Sequence, residues 1–162
     1  MSKITQQQVI EGKDISNLSD SIRFAVEVHN KGDLETAEGL YRKILEVDPK
    51  NANVLHLLGF LAHQLGFGEE GLKLIEEAIS YEPKIALFHS NLAKVCLGIR
   101  DNKRAEEAYR RSLELDSSDI NIMNDLANLL REKEKGPGTG SLLEASELLG
   151  KVVSLEPDVP EF

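Results

Sequence analysis

Four histidines and one glycine-rich stretch are the features of this 162-residue chain whose residue types and spacing could do chemistry. His56 and His63 lie seven residues apart, two turns along one helix face, and His29 holds the same place as His63 one unit earlier. Imidazoles so placed raise the question of a metal. Zinc sites, however, use direct i,i+4 pairs or bring Cys, Asp or Glu into the same constellation, and neither occurs in frame here. Equivalent helices also pack about 8–10 Å apart, which is far for shared coordination. No metal is expected. Gly136-Pro-Gly-Thr-Gly-Ser141 has the composition of a phosphate-cradling loop. That loop needs Gly-x-x-x-x-Gly-Lys-Ser/Thr between a strand and a helix, whereas no Lys follows Gly140 and Arg131–Lys135 reads as the tail of a helix. Nothing brings a nucleophile to a base, so this chain alone is not expected to be an enzyme or to hold a cofactor.

The elements that would carry any binding residues follow a period of 34. Phe24, Leu58, Leu92 and Leu126 fall in that step, as do Ala25, Gly59, Ala93 and Ala127. A second register gives Ala37, Gly71 and Ala105, and a third Tyr41, Ile75 and Tyr109. Each unit holds two apolar-periodic stretches of about 14 residues, the signature of paired amphipathic helices. The small residues let the two helices approach closely. Gly32 and Gly66 punctuate the turn between helices, and Asp33 and Asp101 are the expected caps of the second helix. Asp48-Pro49, Glu82-Pro83 and Glu156-Pro157 end the second helices, because proline lacks the N–H and restricts its predecessor. Glu106–Arg110, Glu107–Arg111 and Glu69–Lys73 have the favourable acid-first order on solvated faces. No segment alternates as a strand does. The fold expected is all-α, a solenoid whose units bury their apolar faces by stacking.

These columns resemble the tetratricopeptide repeat family: Leu-Gly or Leu-Ala, then an apolar residue, Ala, an aromatic and Pro. The resemblance implies a right-handed superhelical solenoid of four helix-turn-helix repeats, at 18–51, 52–85, 86–119 and 120–159. Residues 1–17 precede them as an extension, with Gln6–Glu11 a possible short helix, and 160–162 begin a missing repeat or cap. The fourth repeat needs six extra residues near 135–141 to restore register, after which Ala145, Leu149, Val152 and Pro157 fall into place. The pattern departs from the family at Ser21, Leu55, His89 and Met123, where a large aromatic is usual, and at Ser117, which replaces Pro.

In the resembled family the first helix of each pair lines a concave groove. Carried onto this chain, that implies the more apolar Ser19, Ile22, Val26, His29 and Asn30 in the first repeat. The second gives Asn53, His56, Phe60, His63 and Gln64, and the third Leu87, Ser90, Asn91, Lys94 and Leu97. The fourth contributes Asn121, Asn124, Asp125, Asn128 and Arg131, with Glu132 at the margin. Amide side chains donate to and accept from an extended backbone without reading its sequence. The implied partner is a protein or peptide. The clamp that holds chaperone C-termini is absent, since Ile22 and Val26, or His56 and Phe60, stand where it would begin. Ala37-Glu-Gly-Leu-Tyr-Arg-Lys-Ile-Leu-Glu-Val-Asp-Pro49, Leu55-His-Leu-Leu-Gly59 and Ser90-Asn-Leu-Ala93 are similar to repeats preceding bacterial O-linked N-acetylglucosamine transferase-type enzymes. Of that subtype's asparagine ladder only Asn91 matches. A noncatalytic acceptor-binding region of a longer transferase is therefore the alternative expectation.

Composition narrows the rest. Apolar residues make up 41% and charged residues 29%, as in globular proteins. A net charge of −9 opposes sequence-independent binding to nucleic acid. No apolar run approaches the roughly 20 residues of a membrane span, and no apolar leader is visible, so a cytoplasmic location without membrane contact is expected. Cys96 falls at a helix-packing position, where a small buried apolar group belongs. The helix carrying Leu142, Leu143, Leu149, Val152 and Val153 has no polar cap after it. Truncation of a longer chain or self-association through that face would each account for this.

Overall fold

The computed structural model describes residues 18–133 and 140–155. These form eight helices with no strand among them: α1 (Leu18–Asn30), α2 (Leu34–Val47), α3 (Ala52–Gln64), α4 (Gly68–Tyr81), α5 (Ala86–Gly98), α6 (Asn102–Leu115), α7 (Ile120–Lys133) and α8 (Gly140–Leu155). The expected leading helix at Gln6–Glu11, Pro157 and residues 160–162 lie outside the described residues, as does most of 135–141. Gly140 and Ser141, at the end of the inserted stretch, form the first turn of α8. Two compact units, Met1–Pro83 and Lys84–Phe162, divide the chain.

In the first unit α1 packs on α2, α2 on α3 and α3 on α4. The pairs close where side chains are smallest. Ala25 and Ala37 are fully buried in α1 and α2, and α3 meets α4 backbone to backbone at Gly59 and Gly71. A Cβ on Gly59 would lie 2.8 Å from the Gly71 carbonyl oxygen, and one on Gly71 2.5 Å from that of Gly59. Val28, Leu40, Tyr41, Ile44, Val54, Leu58 and Leu61 fill the core between these helices. Each large aliphatic buried there contributes about 1.5–3 kcal/mol.

The second unit repeats the scheme with α5 on α6, α6 on α7 and α7 on α8. Ala93, Ala105, Ala127 and Ala145 are its buried small residues, and Cys96, Tyr109, Leu126 and Leu130 its larger core. Cys96 is a packing residue, inaccessible to solvent.

Local chemistry explains the helix limits. Asp33 and Asp101 each accept the backbone N–H three residues on, from Thr36 and Arg104, satisfying a donor that the first turn leaves open. Gly32 and Gly66 sit at φ +83° and +90°, and Arg100, at the same point of the third turn, at +64°. At all three the next residue's N–H returns to the preceding helix, reaching Val28, Ala62 and Cys96 carbonyls. The left-handed residue is thus required by a six-residue closing bond, and only two of the three turns use glycine. The second helices stop at Val47 and Tyr81, just before Asp48-Pro49 and Glu82-Pro83.

Two matching ion clips tie the second helices together. Arg42 of α2 donates to Glu38 one turn back and to Glu70 of α4 at 2.9 Å. Arg110 of α6 pairs likewise with Glu106 and, through two oxygens at 2.8 and 3.1 Å, with Glu144 of α8. The first clip spans 28 residues and the second 34, so six further residues lie inside it. Of the other surface pairs expected, Glu107 faces Lys103 at 4.0 Å while Arg111 turns to Glu114.

Candidate functional site

In each unit, polar side chains of the first helices meet a buried tyrosine from a second helix. In the first unit Tyr41 forms the floor, fully buried, with burial pushing its phenol up to about 12. His29 of α1 stands over it edge-on, ring centroids 5.9 Å apart. Its Nε2 lies 2.7 Å from Oε1 of Gln64 on α3, and its Nδ1 lies 3.2 Å from the Tyr41 hydroxyl. An amide oxygen only accepts, so Nε2 carries the proton and Nδ1 accepts from Tyr41. Phe60 and His63 line the same stretch of α3, rings 6.2 Å apart. This notch is bridged.

Advancing 68 residues, two repeat lengths, reaches the equivalent notch of the second unit. Tyr109 of α6 is again the buried floor, and Leu129 stands where Leu61 does. Around them Leu97, Asp125, Asn128 and Glu132 border an open concavity of about 160 Å³. The Tyr109 hydroxyl faces Asp125 Oδ2 at 3.5 Å. Burial first, and the Asp125 charge second, push this phenol well above its ordinary range.

The groove residues inferred from the sequence separate into three groups. His56, at 3% exposure, and Ser90 and Asn91, at 3% and 8%, are buried among the helices rather than presented on a wall. Desolvation pushes the His56 imidazole down to about 4, partly opposed by its hydrogen bond to the Asn53 backbone. The Ser90 hydroxyl is turned back onto the Leu87 carbonyl at 3.0 Å. Phe60, His63, Lys94 and Asn124 are half-buried, and Gln64, Asn121, Asn128 and Arg131 are exposed. The structure brings Gln64 to His29, and Asn128 into the open notch. Tyr41, Tyr109 and Leu129 were not among the inferred site residues, whereas Leu97 was and lines the open notch. The recurrence of tyrosine at 41 and 109 was the signal that could have found the two floors. Among the described residues no three His, Cys, Asp or Glu side chains group around a possible metal position, and no helix is long and apolar enough to cross a membrane.

Residues 87–119 match the family model of the tetratricopeptide repeat. That stretch is a tetratricopeptide repeat. Relatives include tetratricopeptide repeat protein 7A of Homo sapiens, 28% identical over 54% of this chain, and the type IV pilus assembly protein PilF of Pseudomonas aeruginosa, 29% identical over 76%. The matched stretches span only 10% and 50% of those proteins. Among solved structures, MamA from Desulfovibrio magneticus superposes with a TM-score of 0.76 at 18% identity, over 91% of this chain and 80% of that one. The Thermobaculum terrenum O-GlcNAc transferase gives 0.75 at 21% identity, over 92% of this chain and 27% of the enzyme. The first repeat domain of Spaghetti (RPAP3), solved with an HSP90 peptide, gives 0.69 at 16%, over 74% and 95%. These likenesses show the all-α tetratricopeptide solenoid fold.

Within the tetratricopeptide frame, the residues that replace the usual large aromatic, Ser21, Leu55, His89 and Met123, are all buried. At the other extreme, α8 holds Leu143 and Val153 outward at 66% and 71% exposure.

Proposed function

We propose that this chain is a noncatalytic scaffold whose first helices hold an extended segment of a partner protein. The open notch of the second unit carries the reading: it sets a buried tyrosine floor beside carboxylate and amide groups, and at about 160 Å³ it is smaller than the roughly 300–1,000 Å³ of small-molecule sites. It suits one side chain of a polymer better than a free metabolite. Exposed Asn121 and half-buried Asn124 on the same helix, α7, supply donors and acceptors for a backbone. The peptide complex of the similar Spaghetti domain supports the reading. Asn91 does not serve as a probe of this surface, because a change at a buried side chain alters packing as well as contact.

Selection of binders from a random peptide display library, using the whole chain as bait, tests the proposal. Asn121→Ala with Asn124→Ala should weaken a selected peptide about tenfold with helix content unchanged by circular dichroism. Unaltered affinity would overturn the assignment of this surface.

A second reading, acceptor binding for a longer transferase, is favoured by the fit to the Thermobaculum terrenum enzyme. The reading frame on either side of the coding sequence tests it: a transferase domain supports this reading, and stop codons without one overturn it. Self-association through the exposed α8 side chains would instead appear as a mass that rises with concentration.

A further inference from the structure

We infer that the notch bordered by Leu97, Tyr109, Asp125 and Glu132 is a receptor for one basic side chain, lysine or arginine, of the bound segment. The inference rests on the scaffold reading above and specifies the chemistry of the partner. Its evidence is the contrast between two copies of one mould. Tyr109 and Leu129 of the lining correspond, 68 residues on, to Tyr41 and Leu61. The other lining residues differ from their counterparts. His29, whose imidazole bridges the first notch between Tyr41 and Gln64, is replaced by Leu97, which has no polar atom to bridge anything. Leu57 becomes Asp125, Phe60 becomes Asn128 and Gln64 becomes Glu132. The second notch has therefore lost its internal nitrogen group and gained two carboxylates, and it stands open.

The one N–H that His29 donates goes to an oxygen, that of Gln64, and the second notch likewise presents oxygens, those of the Asp125 and Glu132 carboxylates, which accept from N–H donors. Two carboxylates favour a cation, and the walls decide which kind. Leu97 and Leu129 flank the space with hydrocarbon, matching the methylene stem of lysine or arginine, whose charged head then reaches the rim. An ammonium or guanidinium meeting Asp125 and Glu132 makes charge-assisted hydrogen bonds. A calcium ion would need six to eight oxygens at about 2.3–2.6 Å, and no such grouping occurs among the described residues. The size also fits, since a cavity of about 150 Å³ accommodates one benzene-sized group.

The test uses the whole chain and the same random peptide display library. Selected peptides should share a Lys or Arg, and replacing it by norleucine, which keeps the stem and removes the charge, should weaken binding about fivefold. Asp125→Asn with Glu132→Gln should cost the same factor and abolish the preference for the basic peptide over its norleucine form. A second variant, Leu97→His with Glu132→Gln, rebuilds the bridge of the first notch and should block binding while the chain stays folded. Peptides selected without a basic residue, or unchanged discrimination in both variants, would overturn the receptor and leave the scaffold intact. Failure to select any peptide would overturn both.

Discussion

Gln64 Oε1 lies 2.7 Å from His29 Nε2, a hydrogen bond spanning 35 residues of sequence and joining the first helices of two successive repeats. Because the amide oxygen only accepts, the neutral ring must hold its proton on Nε2, leaving Nδ1 to accept from Tyr41. Nitrogen-15 spectra correlated to the ring protons should show His29 in the Nε2–H tautomer, and Gln64→Ala should relax that preference at a cost of about 0.5 kcal/mol in urea unfolding. A dominant Nδ1–H tautomer in the parent chain would contradict the bridge.

The backbone contact of α3 with α4 gives the sharpest steric prediction. A Cβ on Gly59 would meet Ile75 Cγ1 at 2.7 Å and the Gly71 carbonyl oxygen at 2.8 Å. Gly59→Ala should destabilise by about 1–3 kcal/mol. Gly39, in exposed α2 surface with nothing within 4 Å of its Cβ position, is the control. Gly39→Ala should stabilise by about 0.5–1 kcal/mol. Equal effects at the two sites, read from urea midpoints, would refute the close approach.

Arg100 occupies a left-handed turn position that glycine fills at 32 and 66. An L-residue there pays a steric cost of about 1–2 kcal/mol, reduced by the entropy that glycine loses on folding. Arg100→Gly should therefore raise the thermal midpoint, with a net gain of about 0.5–1 kcal/mol. Arg100→Val, branched at Cβ, should lower it. A rise with valine would mean that the turn is not left-handed.

His56 supplies a pH signature. The unfolded imidazole takes a proton near 6.5, while the folded one does so only at about 4, chiefly because of burial. The unfolded chain binds more protons between those values, so stability is full above about pH 6.5 and falls as pH drops toward 4. The loss should reach about 3 kcal/mol. His56→Gln, which keeps a polar donor but cannot titrate, should flatten that part of the profile in urea unfolding. Parallel profiles for the two proteins would count against a buried neutral ring.

Much of the framework was legible in the sequence. The step of 34 marked the small residues at 25, 59, 93 and 127 that allow close packing, and Asp33 and Asp101 were readable as caps because their chemistry is local. Two kinds of feature were not. Arg100 breaks the Gly32–Gly66 pattern, and propensity alone argues against a left-handed arginine. The open notch needs Leu97, Tyr109 and Glu132 to converge from three helices, which no spacing along one helix displays. The resemblance put His56, Ser90 and Asn91 on the groove wall, and the structure buries them. Their burial depends on how far the adjoining elements cover them.

The two tyrosine floors have a consequence for how such a chain can diversify. Tyr41 and Tyr109 belong to the packed interior, so the architecture holds them constant. The borders at 29, 57, 60 and 64, and at 97, 125, 128 and 132, include side chains whose replacement leaves those floors in place. One frame thus serves two ends: the first unit uses its border as an internal latch that couples its helices, and the second leaves the corresponding positions facing an open space.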